Sequence, residues 1–130
     1  MVWVSFSTLE DGYRHRLIQH ARRQRVRFFV SEYILDELAT ALTEDLGRTR
    51  RYAALARRAV LQIAKLVPLP PSIRRHVPGD PHDDPIVQTA LSAKADYLVT
   101  ADREILDVGK VEDVEIITPN QLGERLAFEA

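Results

Sequence analysis

The sequence contains no cysteine. Disulfide bridges and thiolate-held zinc are therefore excluded, and any metal site must be built from carboxylates, carbonyls or histidine. Long apolar runs are also missing. No stretch approaches the roughly 20 residues that cross a bilayer, and charges begin at Glu10 and Asp11, too early for a secretory leader. Neither charge sign dominates: 18 Lys and Arg against 19 Asp and Glu leave a formal net charge of -1. That balance excludes a generally basic nucleic-acid coat but leaves room for a local basic patch. Repeats and low-complexity segments are absent as well. What is there, 45% hydrophobic and 28% charged residues in a chain of 130, fits one ordered domain over residues 1–130. A soluble, cytoplasmic protein is the default expectation.

The most informative stretch runs from Asp80 to Asp102. It opens on a loop with Asp80, His82, Asp83 and Asp84. An aspartate before Pro85 signals a helix start, because proline suits the first helical position and a carboxylate accepts orphan amide bonds. Ile86, Val87, Ala90 and Leu91 then recur at helical spacing, and Asp96–Thr100 is a short β-branched run that reads as a buried strand. Elsewhere, Val26–Val30 reads as a strand. Ser31 caps a helix whose buried face is Ile34, Leu35, Leu38, Ala41 and Leu42. Tyr52–Leu66 reads as an amphipathic helix with Leu55, Ala59 and Ile63 on one side and Ala56 and Val60 beside them. Leu17, Ile18 and Ala21 form a stripe on an earlier helix, Val114–Ile117 a short strand, and Pro119–Ala127 a last helix. Strands alternating with helices predict a layered α/β fold with a mostly parallel central sheet flanked by helices.

In such a sheet, Glu37 follows one strand and Asp102 follows another. If those strands are parallel, both acids reach the same edge. Carboxylates gathered there repel and raise one another's pKa. A hard divalent cation, Mg²⁺ or Mn²⁺, removes that cost and activates water, which is the logic of a metal-dependent phosphodiesterase.

Three motifs, SEYILDEL at Ser31–Leu38, DPHDDPIVQTAL at Asp80–Leu91 and ADYLVTADREIL at Ala95–Leu106, together with the ending IITPNQL at Ile116–Leu122, resemble the PIN-domain family. The resemblance is to its stand-alone bacterial members grouped with toxin–antitoxin toxins. It implies a metal-dependent ribonuclease acting on RNA, with Mg²⁺ or Mn²⁺ as cofactor, an antitoxin protein as partner and a homodimer as assembly. Carried over by position, it implies Glu37, Asp83 and Asp102 as catalytic acids and metal ligands, with Asp80 and Asp84 as further ligands. Asp83 is preferred to Asp84 for its place two helical turns before Ala90. Thr100 is the hydroxyl that orients Asp102 or a metal-bound water. Arg48, Arg50 and Arg51 are the candidate RNA contacts, within a wider set that includes Arg57 and Arg75, since arginine forks pair with phosphate.

One departure stands out. The family opens with a central strand that ends in an aspartate, whereas Val2–Phe6 resembles the segment just after that aspartate. The resemblance therefore implies that the central strand and its ligand are missing. The alternative is that Val2–Phe6 serves as the strand, with Glu10 or Asp11 as substitute acid. A form without that aspartate is expected to bind metal weakly and to cleave RNA slowly or not at all, and a catalytically impaired binding module acting through a protein partner is the competing class. Taken singly, Glu37 is a solvated helix acid, Asp102 a turn residue, Thr100 a β-former and His82 a solvated loop histidine.

Overall fold

A computed structural model describes residues 2–3 and 12–128. The elements run β1 (Val2–Trp3), α1 (Gly12–Arg23), β2 (Phe28–Val30), α2 (Glu32–Thr40), α3 (Arg50–Ile63), β3 (Ala64–Leu66), α4 (Asp84–Ala93), β4 (Tyr97–Val99), α5 (Arg103–Leu106), β5 (Lys110–Val111), β6 (Val114–Ile117) and α6 (Pro119–Arg125). A π-helical turn, Ala41–Asp45, prolongs α2, and a 3₁₀ turn, Pro81–Asp83, leads into α4. The strands form one sheet in the order β3-β2-β1-β4-β6-β5. Every pairing is parallel except β5 with β6. This is the expected α/β fold with a mostly parallel sheet.

The strands are short but apolar on both faces. Consecutive residues Leu98, Val99 and Thr100 are buried, as are Ile116 and Ile117, which is the signature of strands covered on both sides. Helical stripes pack against them: Leu17, Ile18 and Ala21 from α1, Ile34, Leu35 and Leu38 from α2, and Ile86, Val87 and Ala90 from α4. Ser31, Thr49 and Thr118 cap α2, α3 and α6 through side-chain oxygens that accept the amides of Ile34, Tyr52 and Gln121.

Three sequence expectations need correction. The helix expected to reach Leu66 ends at Ile63, and Ala64–Leu66 is edge strand β3, parallel to β2 in the register Phe28↔Ala64. Ala64 leaves the helical region at φ -124, and the amide of Val67 reaches the Val30 carbonyl at 2.7 Å. The buried face of α3 is Ala53, Ala56 and Val60, while Leu55 is 56% exposed. Its apolar sector is wider than its neighbours, α2 first among them, cover, and small residues occupy most of the buried part. The strand expected from Val26 begins at Phe28, because Arg25 takes a left-handed φ of 62 that closes α1.

Val2 pairs with Phe29 on one side and Leu98 on the other, so β1 lies between β2 and β4. Residues 4–11, including Glu10 and Asp11, lie outside the described residues. From β1 the chain winds to β2 and β3, then returns to β4 and β6 on the other side. The winding reverses at the β1–β4 boundary, and beyond the carboxyl ends of the strands at such a switch point ligands bind.

Candidate active site

The site is assembled from the segments that leave or approach this edge. Glu37 lies in α2, after β2. Asp83 ends the 3₁₀ turn and precedes α4, whose N-terminus faces the edge because α4 runs back to the start of β4. Asp102 begins α5, just past β4. Local geometry fixes each one. The Asp80 Oδ1 accepts the His82 amide at 2.9 Å, and the Asp80 carbonyl accepts the Asp83 amide at 3.1 Å. Thr100 is buried. Its amide donates to the Ile117 carbonyl at 2.9 Å and its Oγ1 accepts the Asp102 amide at 3.1 Å. The hydroxyl therefore sets the turn that carries Asp102, whose Oδ1 accepts the Glu104 amide at 2.9 Å.

Asp83 is the electrostatic centre. It is 8% exposed, and its Oδ2 is buried with no hydrogen-bond partner among the described residues. Burial, then the negative charges of Asp102, Asp80, Glu37 and Glu104, push its carboxyl up from 3.8 to about 6. Three of the acids expected from sequence, Glu37, Asp80 and Asp102, thus act on a fourth, Asp83. Ligand-type oxygens of Asp80, Asp83 and Glu104 lie within 4.8 Å of one another.

Glu104 escaped the sequence reading, which carried it only inside the motif Ala95–Leu106. The available signal was its place two residues after Asp102, in the first turn of a helix that begins at the acidic edge. Its side chain lies against the loop before Asp80: a Cβ on Gly79 would stand 3.4 Å from its Cδ. Tyr33 was missed as well. It stands one helical turn before Glu37, and its hydroxyl donates to the His82 carbonyl. Burial, then the charge and hydrogen bond of the Glu37 carboxylate and the charges of Asp83 and Asp80, push its phenol up from 10.0 to about 12.

Asp84, expected among the ligands, is engaged elsewhere. Its Oδ1 accepts the amides of His76 at 2.8 Å and Val77 at 2.7 Å, and its Oδ2 meets the Arg75 Nε at 3.1 Å. Burial would raise its carboxyl, but these amides and Arg75 outweigh burial and hold it below the usual range. Two adjacent aspartates therefore do opposite jobs. Asp84 fastens the crossing segment 75–77 to α4, and Asp83 faces the other acids.

Among the arginines, Arg57 makes a two-pronged pair with Glu32, at 2.9 and 2.8 Å, that braces α3 against α2. Arg75 is taken up by Asp84. Arg48, Arg50 and Arg51 are exposed at the start of α3, with the Arg48 guanidinium 5.0 Å from the Tyr52 ring centre.

A PIN domain family model matches residues 1–104, and the chain belongs to the PIN-domain family. Its members are generally nucleases, and a nuclease-type function follows at that level. Comparison with curated proteins and with solved structures returned no significant match. PIN domains generally depend on divalent metal ions, and the site residues fit such an ion. All the donors are carboxylate oxygens, the ligand type of hard cations, and one of the three residues, Asp83, has a buried oxygen with no hydrogen-bond partner among the described residues. Among the described residues, no helix is long and apolar enough to cross a membrane.

Proposed function

We propose that the chain is a metal-dependent endoribonuclease of PIN type, the toxin component of a toxin–antitoxin pair, using Mg²⁺ or Mn²⁺. The observation that carries this reading is the buried, unpartnered Asp83 oxygen facing four other carboxylates. Left alone, such a group is held at a cost, and cation binding relieves it. Asp83, Asp80 and Glu104 are the nearest set to hold the ion, with Glu37 and Asp102 completing the negative field. A divalent ion bound there supplies charge against the phosphate and lowers the pKa of a bound water. Asp83 stays desolvated against the body of the fold, Thr100 orients Asp102 through its amide, and Arg48, Arg50 and Arg51 attract the RNA backbone. An antitoxin segment that places a cationic side chain among the acids would compete with the metal and silence the site. Dimerisation is part of the same proposal.

The test is cleavage of a mixed RNA pool by the wild type, by Asp83→Asn and in the presence of chelator. Cleavage that needs Mn²⁺ or Mg²⁺ and is lost in Asp83→Asn is expected. Equal cleavage in chelator would overturn the mechanism. Absence of cleavage together with tight capture of a basic partner peptide would favour the binding-module reading.

A further inference from the structure

Tyr33 sits where α2 meets the acidic turn. It is half-buried in the first turn of α2, and Glu37 follows it one helical turn later on the same face. Its hydroxyl donates to the backbone carbonyl of His82. That carbonyl belongs to the peptide unit joining His82 to Asp83. The N–H of the same unit, the amide of Asp83, donates to the Asp80 carbonyl at 3.1 Å. One peptide plane is thus held at both ends, by Asp80 within the turn and by Tyr33 from α2. The Asp83 side chain leaves the backbone at that plane.

A second tie lies deeper. The Thr89 hydroxyl of α4 is 2.8 Å from the Ser31 Oγ at the start of α2. It joins the bodies of the two helices and does not involve the turn. The acidic turn ahead of α4 is therefore positioned by Tyr33 beyond what helix packing provides.

We propose that Tyr33 is a positioning residue for the cation site: its hydroxyl, through the His82 carbonyl, fixes the place of Asp83 relative to Glu37. The inference rests on the metal-dependent reading of the site. A hydroxyl that orients a ligand rather than touching the ion acts as an outer-shell partner does at metal sites, and losing such a partner weakens affinity on the order of 10-fold or more.

The experiment titrates Mn²⁺ into the metal-free full chain and follows free Mn²⁺ by electron paramagnetic resonance. It compares wild type, Tyr33→Phe and a form carrying 4-aminophenylalanine at position 33, which restores a donor. Thermal denaturation is measured alongside. The expected result is an affinity lower on the order of 10-fold in Tyr33→Phe, with a melting temperature changed by no more than about 5 °C. Affinity should recover with 4-aminophenylalanine. A purely structural role would move the melting temperature and leave affinity alone. Equal affinity in wild type and Tyr33→Phe overturns the inference and leaves the metal-dependent reading standing. Absence of Mn²⁺ binding by the wild type overturns that reading and the inference with it. Should Tyr33→Phe fail to fold, the 4-aminophenylalanine form decides: wild-type affinity supports the inference and a loss on the order of 10-fold sinks it.

Discussion

Asp83 and Asp84 share a peptide bond and respond oppositely to pH. The Asp83 carboxyl is raised from 3.8 to about 6, so the folded chain binds more protons there than the unfolded chain does between those values. Its contribution to stability is full below pH 3.8 and is lost as pH rises through about 6. The Asp84 carboxyl is lowered, so its contribution is present above pH 3.8 and is lost as pH falls through its folded value. Asp83→Asn should therefore stabilise the metal-free chain at pH 7, by up to about 2 kcal/mol, while removing Mn²⁺ binding. Asp84→Ala should destabilise it by about 2–4 kcal/mol, because a buried and a part-buried amide lose a charged acceptor. Arg75 adds little to that cost, since its side chain is 64% exposed. Chemical denaturation of both variants at pH 5 and pH 7 checks the signs. Two destabilised variants would mean that Asp83 does not bear the repulsion assigned to it.

At the scale of elements, α3 offers a sharp comparison. Val60 is fully buried and Leu55 is 56% exposed, although both belong to one apolar sector of the helix. Val60→Ala should cost about 2 kcal/mol in lost transfer energy and cavity. Leu55→Ala should stay within about 0.5 kcal/mol. Comparable losses in both would mean that Leu55 is covered in solution by another surface. The same helix shows what the sequence left undecided. Periodicity made the helix legible but could not say which part of a wide apolar sector meets the sheet. It also could not separate the last helical turn from Ala64–Leu66, a strand paired on one side only. Apolar runs such as Tyr97–Val99 and Val114–Ile117, and the stripes of α1, α2 and α4, were legible because burial there follows a single simple period. Asp80, Asp83 and Asp102 were legible because they lie next to element ends, and Glu37 because its helix follows a strand of the same sheet. Tyr33 and Glu104 were not, since the first acts through a backbone carbonyl and the second depends on how the loop at Gly79 packs.

At the scale of the molecule, the distribution of charge decides how a chain of net charge -1 meets a polyanion. The acidic edge repels phosphate until a cation sits there. The described helix α3 carries Arg50, Arg51, Arg57 and Arg58 and no acid, but Arg57 is held by Glu32. On the proposed reading, attraction comes from exposed arginines, Arg48, Arg50 and Arg51 among them. Each phosphate neutralised on a single strand contributes about 0.7 to the slope of log affinity against log salt. Replacing all three by alanine should therefore flatten that slope by about 2, and the change should be similar for RNAs of different sequence, since phosphate contacts carry no base information. Fluorescence anisotropy with short RNAs over a range of KCl, in an Asp83→Asn background to prevent cleavage, gives the slope. If the slope is unchanged by the triple substitution, RNA does not cross the start of α3. The arginines there would then serve a protein partner instead, and the path of the strand to the acidic edge would have to run along another face.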